Sequence, residues 1–197
     1  RIIVRSTVSI GTCKKLRVGF MPEFLTEVNW REDFINNEDW IFGVNVTLIE
    51  PYTDEPFGSF KKLINLAHEN GKIKSKVIHC TSTESAELTK LTRNSFLALK
   101  VSFFNEIYDL CQRKEIDFET VRRCVSLDKR IGESHTKVPG SDGRRGYGGT
   151  CFPKDSKSLL AQMHETYMKS YILSATIDRN DELDRIEYFK QIDLTII

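Results

Sequence analysis

Ten consecutive residues bring together a thiol, an ammonium group and a carboxylate: Gly146-Tyr147-Gly148-Gly149-Thr150-Cys151-Phe152-Pro153-Lys154-Asp155. Glycines let a backbone turn tightly and let another molecule come close to it. Pro153 suits the first position of a helix, which needs no amide hydrogen, and Ser156 to Met168 carries a helical pattern. Cys151 is therefore expected just before a helix N-terminus, where the dipole and the Lys154 ammonium both favour thiolate over thiol. Asp155 falls within reach of the same small volume. The chemistry on offer is nucleophilic attack by sulfur. A cysteine can also be a small buried hydrophobe; that suits Cys111 and Cys124, on helical apolar faces, better than Cys151 among glycines and charges. Gly146-x-Gly148 is not a dinucleotide fingerprint, since no strand precedes it and the third glycine is missing. Arg144 and Arg145, in the preceding loop, either meet an anionic ligand or are solvated.

Two further pairs have spacings that could serve such a nucleophile. Lys90 and Asn94 share a helical face that continues through Leu97, Val101, Phe104 and Tyr108. They head an apolar stripe and either lie at a solvated helix end or point into a site. Glu23 and Glu27 follow a strand end in Pro22-Glu23-Phe24-Leu25-Thr26-Glu27. A helical turn there would set both carboxylates on one side, beside the carboxyl end of a strand, where open α/β sheets take ligands. Such a pair suits general-base work, or simply partners a helix dipole.

The elements that must position these groups fall into two parts. Up to residue 82, strand signals (Ile2 to Val4, Arg17 to Met21, Trp40 to Gly43, Lys76 to Cys80, with Asn45 to Glu50 alternating) surround a helix from Phe60 to His68 that Asn70-Gly71 stops. Strands alternating with helices imply an α/β layer. Thr81 and Glu84 form a capping box, and from there to Lys114 neither Gly nor Pro intervenes, so a helix about 45 Å long is expected. Further helices are expected at Phe118 to Ser126, Ser156 to Met168 and Tyr171 to Gln191, around a long loop between Arg130 and Thr150. A loop of that length in a compact domain is functional or disordered.

Composition sets the bounds. Apolar content of 40% with 29% charged residues is that of a globular chain, and a net charge of +1 in 197 residues predicts no nucleic-acid or acidic partner. No apolar run approaches a membrane span, so no membrane partner is expected. Five cysteines, odd in number and without Cys-x-x-Cys spacing, point away from a disulfide framework and a metal site and toward a reducing, cytoplasmic setting. The chain opens inside the apolar run Arg1-Ile2-Ile3-Val4 without Met, which leads us to expect a fragment of something longer.

The motifs in order resemble one family, the sugar-nucleotide 6-dehydrogenases that oxidise a UDP- or GDP-linked hexose to its uronic acid. The resemblance runs through Ser6-Thr7-Val8-x-x-Gly11-Thr12, Pro22-Glu23-Phe24-Leu25-x-Glu27, Glu84-Ser85-Ala86-Glu87, Lys90-x-x-x-Asn94, Phe104-Asn105-Glu106, Arg130-Ile131-Gly132 and the ten residues from Gly146 to Asp155. It implies a four-electron oxidation with NAD as cofactor, passing through a thiohemiacetal and a thioester on Cys151. It implies that Lys90 stabilises the oxyanion, that Asn94 helps position it, and that Asp155, Glu27 and Thr7 order water and accept protons. Substrate-binding positions carried over are Glu23, Phe24, Leu25, Glu27, Lys90, Asn94, Arg130, Tyr147 and Gly148. Cofactor-binding positions are Ser6, Thr7, Val8, Glu27, Cys151 and Lys154. The implied fold is the C-terminal part of a Rossmann-like NAD domain over residues 1–82, then a helical central domain over 83–197, without the phosphate-binding glycine loop and inactive alone. The implied substrate is a UDP-sugar, UDP-glucose first, with GDP-mannose or a UDP-N-acetylhexosamine as rivals. The implied assembly is a homodimer through the long helix 84–114, or a higher homo-oligomer; a non-catalytic helical dimerisation module is the reading from another class. Departures from the pattern are Ser9 in place of a frequent proline, Met21 before Pro22, Thr26 in place of a basic residue, and a longer loop from Ser134 to Arg145.

Overall fold

The computed structural model describes residues 2–26, 28–44 and 58–186. Glu27, the alternating stretch from Asn45 to Glu50 and the end of the last expected helix lie outside the described residues. The chain divides into two compact units, Arg1–Leu91 and Thr92–Ile197.

The first unit holds a four-stranded sheet in the order β1 (Ile3–Val4), β2 (Gly19–Phe20), β3 (Asp39–Val44), β4 (Val77–Ser82). β1 and β2 pair parallel, β2 and β3 antiparallel, and β3 and β4 parallel from Asp39 opposite Val77 to Val44 opposite Ser82. Between the strands run α1 (Thr12–Leu16), α2 (Trp30–Ile35) and α3 (Gly58–Glu69). β3 is the organising strand. Trp40 and Phe42 are buried with Met21, Ile64 and Ile73, and the Trp40 indole donates to the Ser75 carbonyl at 2.8 Å. Gly43 is required where the start of the long helix crosses β3: a β-carbon there would lie 2.8 Å from Thr83 Cα and 2.9 Å from Ala86 Cβ. β2 is shorter than its apolar run because Arg17 ends α1 in the left-handed region (φ 56).

Two local expectations are corrected here. The helical turn expected from Pro22 is not formed over the described residues: 21–26 are irregular and α2 starts only at Trp30. Asp33 takes both the amide (2.8 Å) and the hydroxyl (2.5 Å) of Thr26. The capping of α4 (Thr83–Lys114) also differs. β4 runs through Ser82, so Thr81 is still strand, and the Ser82 hydroxyl accepts from the Ser85 amide at 3.1 Å. Glu84 instead pairs with Lys14 at 2.7 Å, and the Lys14 hydrogen bond holds its carboxyl down at about 2.

In the second unit, α4 continues to Lys114, and the 32 residues of this helix make it about 48 Å long. α5 (Phe118–Ser126) follows, capped by Asp117, and α6 (Phe152–Glu165) and α7 (Ile172–Arg179) complete the helical set. Phe104, Cys111 and Phe118 form a buried cluster. Cys124, expected inside, is exposed; Arg122 takes the inward side of α5, donating to Glu119 at 2.7 Å and to the Thr136 hydroxyl at 3.1 Å. α6 starts earlier than Ser156, at Phe152. The expected single helix from Tyr171 breaks: α7 gives way to a π-helical turn, Asn180–Asp184. The loop between α5 and α6 contains neither helix nor strand, yet it is anchored: Lys100 Nζ donates to the Ile131 carbonyl (2.6 Å) and to that of Gly132 (3.3 Å). The expected architecture, an α/β sheet followed by helices, is what the chain adopts.

Candidate active site

Cys151 is the N-cap of α6, half-buried, with Phe152 and Pro153 in the first two helical positions. Its carbonyl accepts the Asp155 amide at 3.0 Å, so cysteine and aspartate sit one turn apart. The Thr150 hydroxyl is 3.8 Å from the sulfur. Asp155 is fully buried, with Lys154 Nζ at 2.5 Å on one oxygen and Asn94 Nδ2 at 2.5 Å on the other. A buried carboxylate needs such partners. The structure thus joins three predicted residues, Asn94, Lys154 and Asp155, beside the cysteine.

The glycine turn is held by its backbone. Gly146 N–H donates to Asn105 Oδ1 at 3.2 Å and Tyr147 N–H to Asn180 Oδ1 at 2.8 Å. Gly146 and Gly149 both adopt positive φ, 63 and 73, a conformation that favours glycine. Tyr147 is buried; burial pushes its hydroxyl up to about 12, with Asp181 and Asp178 adding to the shift. The Phe152 ring lies 5.4 Å from that of His135, whose imidazole is lowered by burial and by the Lys100 charge. Arg145 is not free for a ligand: it pairs with Asp109 (2.7 Å) and Asp184 (2.9 Å), and Arg179 reaches the same two carboxylates at 2.6 and 3.0 Å. Arg130 is exposed and paired with Asp128 at 2.5 Å.

In the first unit, Lys90 is buried and donates to the Arg5 carbonyl at 3.1 Å. The Arg5 guanidinium lies 3.7 Å from Glu23, so Lys90 and Glu23 both meet Arg5. Glu23, Phe24 and Leu25 line a small cavity of about 50 Å³ with Arg5, Asp33 and Trp40. Ser6 is exposed and Thr7 and Val8 are half-buried, all just past the carboxyl end of β1. Beneath them, the buried Glu87 carboxylate accepts the amides of Gly11 (2.6 Å) and Cys13 (2.8 Å). Glu87 and Asn105 fall inside motifs quoted above, although their roles as backbone acceptors were not foreseen. Arg5 and Asn180 carry no local signal.

An α/β unit is followed by a helical unit in which a cysteine caps a helix one turn before a buried aspartate. The chain belongs to the UDP-glucose/GDP-mannose dehydrogenase family, whose central domain matches residues 84–182. Among curated relatives, the UDP-glucose 6-dehydrogenase of Rickettsia bellii is 32% identical over 192 residues, covering 92% of this chain and 41% of the relative. That of Pseudomonas aeruginosa is 32% identical over 196 residues, covering 91% and 40%. The solved structure of a UDP-glucose dehydrogenase from Pyrobaculum islandicum superposes with a TM-score of 0.74 at 29% identity, covering 91% of this chain and 40% of that one. The chain therefore spans about two fifths of the length of the relatives it matches. Among the described residues, no helix is long and apolar enough to cross a membrane.

Proposed function

We propose that this chain supplies the reacting residues for NAD-dependent oxidation of UDP-glucose to UDP-glucuronate. The observation that carries the reading is Cys151 at the α6 N-cap, one turn before an Asp155 held by Asn94 and Lys154. The C6 alcohol first loses a hydride and a proton to give the aldehyde, and the Cys151 thiolate adds to its carbonyl carbon, with uptake of a proton on oxygen, to give a thiohemiacetal. Loss of hydride and a proton leaves a thioester, and water adds while the thiolate departs, releasing the acid. The Lys90 ammonium stabilises the C6 oxyanion and Asn94 fixes its position. Asp155, with Glu27 and Thr7, orders water and accepts protons. Glu23, Phe24, Leu25, Arg130, Tyr147 and Gly148 contact the sugar nucleotide.

NAD accepts both hydrides when bound. Ser6, Thr7 and Val8 fit its nicotinamide end, because they follow the carboxyl end of a strand, where open α/β sheets take ligands. Glu27, Cys151 and Lys154 complete that set. The glycine fingerprint that cradles a pyrophosphate is not among the 197 residues. We assign residues 1–82 to the cofactor domain and 83–197 to the central domain.

A homodimer through α4 is part of the same reading, supported by Phe96, Phe103 and Leu110, which are 62%, 53% and 52% exposed on that helix. The same face favours the second reading, a helical dimerisation module without catalysis. The test is NADH formation by a chimera in which this chain replaces the matching stretch of the Rickettsia bellii enzyme. Two NADH per UDP-glucose support the reading. A folded, dimeric but silent chimera favours the module, and preference for GDP-mannose or a UDP-N-acetylhexosamine moves the substrate.

A further inference from the structure

Arg185, just past the π-helical turn, reaches back at three points to the glycine turn and the loop that precedes it. Its Nε donates to the Arg145 carbonyl at 2.6 Å. Its NH2 group pairs with the Asp142 carboxylate. Its NH1 occupies the space beside Gly148, where a β-carbon would lie 2.5 Å from that nitrogen and 3.0 Å from the guanidinium carbon. The guanidinium is the side chain suited to this task, since its planar fork holds a carbonyl and a carboxylate at once. The π-helical turn makes the reach possible. Asn180, at its start, accepts the Tyr147 amide, and the Arg185 amide closes the wider i→i+5 ring on the Asn180 carbonyl at 2.7 Å. Gly146 is equally confined, since a β-carbon there would lie 2.5 Å from Asn180 Oδ1 and 2.8 Å from Asp184 Cβ.

We propose that Arg185 is a positioning residue for Cys151: its fork and Gly148 interlock to hold the turn that delivers the thiol, and Gly148 lacks a side chain in order to admit it. The inference rests on the proposed role of Cys151, but it concerns the geometry of the turn and holds without substrate.

The five cysteines make the test internal. The whole chain and its Arg185→Ala, Gly148→Ala and doubly substituted forms are alkylated with iodoacetamide, and each cysteine is followed by peptide mass spectrometry. Cys80 and Cys124 are exposed and report general reactivity; Cys13 and Cys111 are buried and report unfolding. With the turn released, Cys151 alkylation is expected to rise about fivefold or more, the scale of losing a local opening barrier, while the other four rates stay unchanged. Gly148→Ala alone produces the same rise, and adds nothing in the Arg185→Ala background. A Cys151 rate that stays at its starting value in Arg185→Ala, a parallel rise at Cys111, or additive effects of the two substitutions overturns the proposal. None of these results depends on turnover, so a failed dehydrogenase assay leaves the positioning claim standing or falling separately.

Discussion

The side-chain amide of Asn94 on α4 donates to Oδ2 of Asp155 on the first turn of α6 at 2.5 Å, and both residues are buried. The contact ties the second unit's longest helix to the turn bearing Cys151. With Asn94 replaced by alanine, Asp155 keeps Lys154 but loses its buried donor, at a cost of about 2 kcal/mol. Urea denaturation of Asn94→Ala against the parent chain checks this; an unchanged midpoint would show that the bond contributes nothing.

Glu87 makes the corresponding contact in the first unit, accepting the Gly11 and Cys13 amides from a position that is 1% exposed. Glu87→Ala leaves two donors without their acceptor and is expected to destabilise the chain by roughly 2 kcal/mol or more. A similar loss in Glu87→Gln, which keeps one acceptor oxygen but turns an NH₂ toward the second amide, distinguishes this from lost packing.

Cys13 gives a pH prediction. Burial, reinforced by the Glu87 hydrogen bond and charge, pushes its thiol from 9.0 up to about 12. The folded chain therefore holds a neutral thiol where the unfolded chain ionises. The stability this contributes is fully present below pH 9 and is lost as pH rises toward 12. Cys13→Ala should flatten that alkaline decline, measured as denaturation midpoints from pH 8 to 12 under reducing conditions. Tyr147, raised in the same direction, contributes to the residual slope. A decline identical in both proteins would refute the assignment.

At Gly43 the limit is space. Alanine there would set a methyl 2.8 Å from the Thr83 backbone, which cannot rotate away, and overpacking of this kind costs about 1–3 kcal/mol. Gly43→Ala is expected to lose that much in thermal or urea unfolding, whereas Gly58→Ala, whose added β-carbon would meet no atom within 4 Å among the described residues, should be near neutral.

Much of this was legible beforehand where local chemistry decides the outcome. α5 runs from Phe118 to Ser126 as expected, and the Cys151 N-cap follows from Pro153 and the glycines before it. What escaped was decided by side-chain partners that apolar spacing does not announce. The Glu23 segment is irregular because Asp33 takes the Thr26 polar groups, and Cys124 faces solvent because Arg122 finds Glu119 and Thr136. The π-helical turn has no periodic signature; it exists where Asn180 and Arg185 meet a loop 33 to 40 residues earlier in the chain. Residue spacing alone cannot announce such pairings, because they are fixed by packing between elements far apart in sequence.

The account stands most directly on sulfur chemistry at Cys151. The measurement is NADH released from UDP-glucose and NAD⁺ by the Rickettsia bellii chimera with cysteine or serine at position 151. With cysteine, two NADH and one UDP-glucuronate form per sugar. With serine, formation of the acid should fall by about a thousandfold or more, the scale of losing a covalent nucleophile. Acid formation by the Cys151→Ser protein at the parent rate, with the same two NADH, would contradict the account.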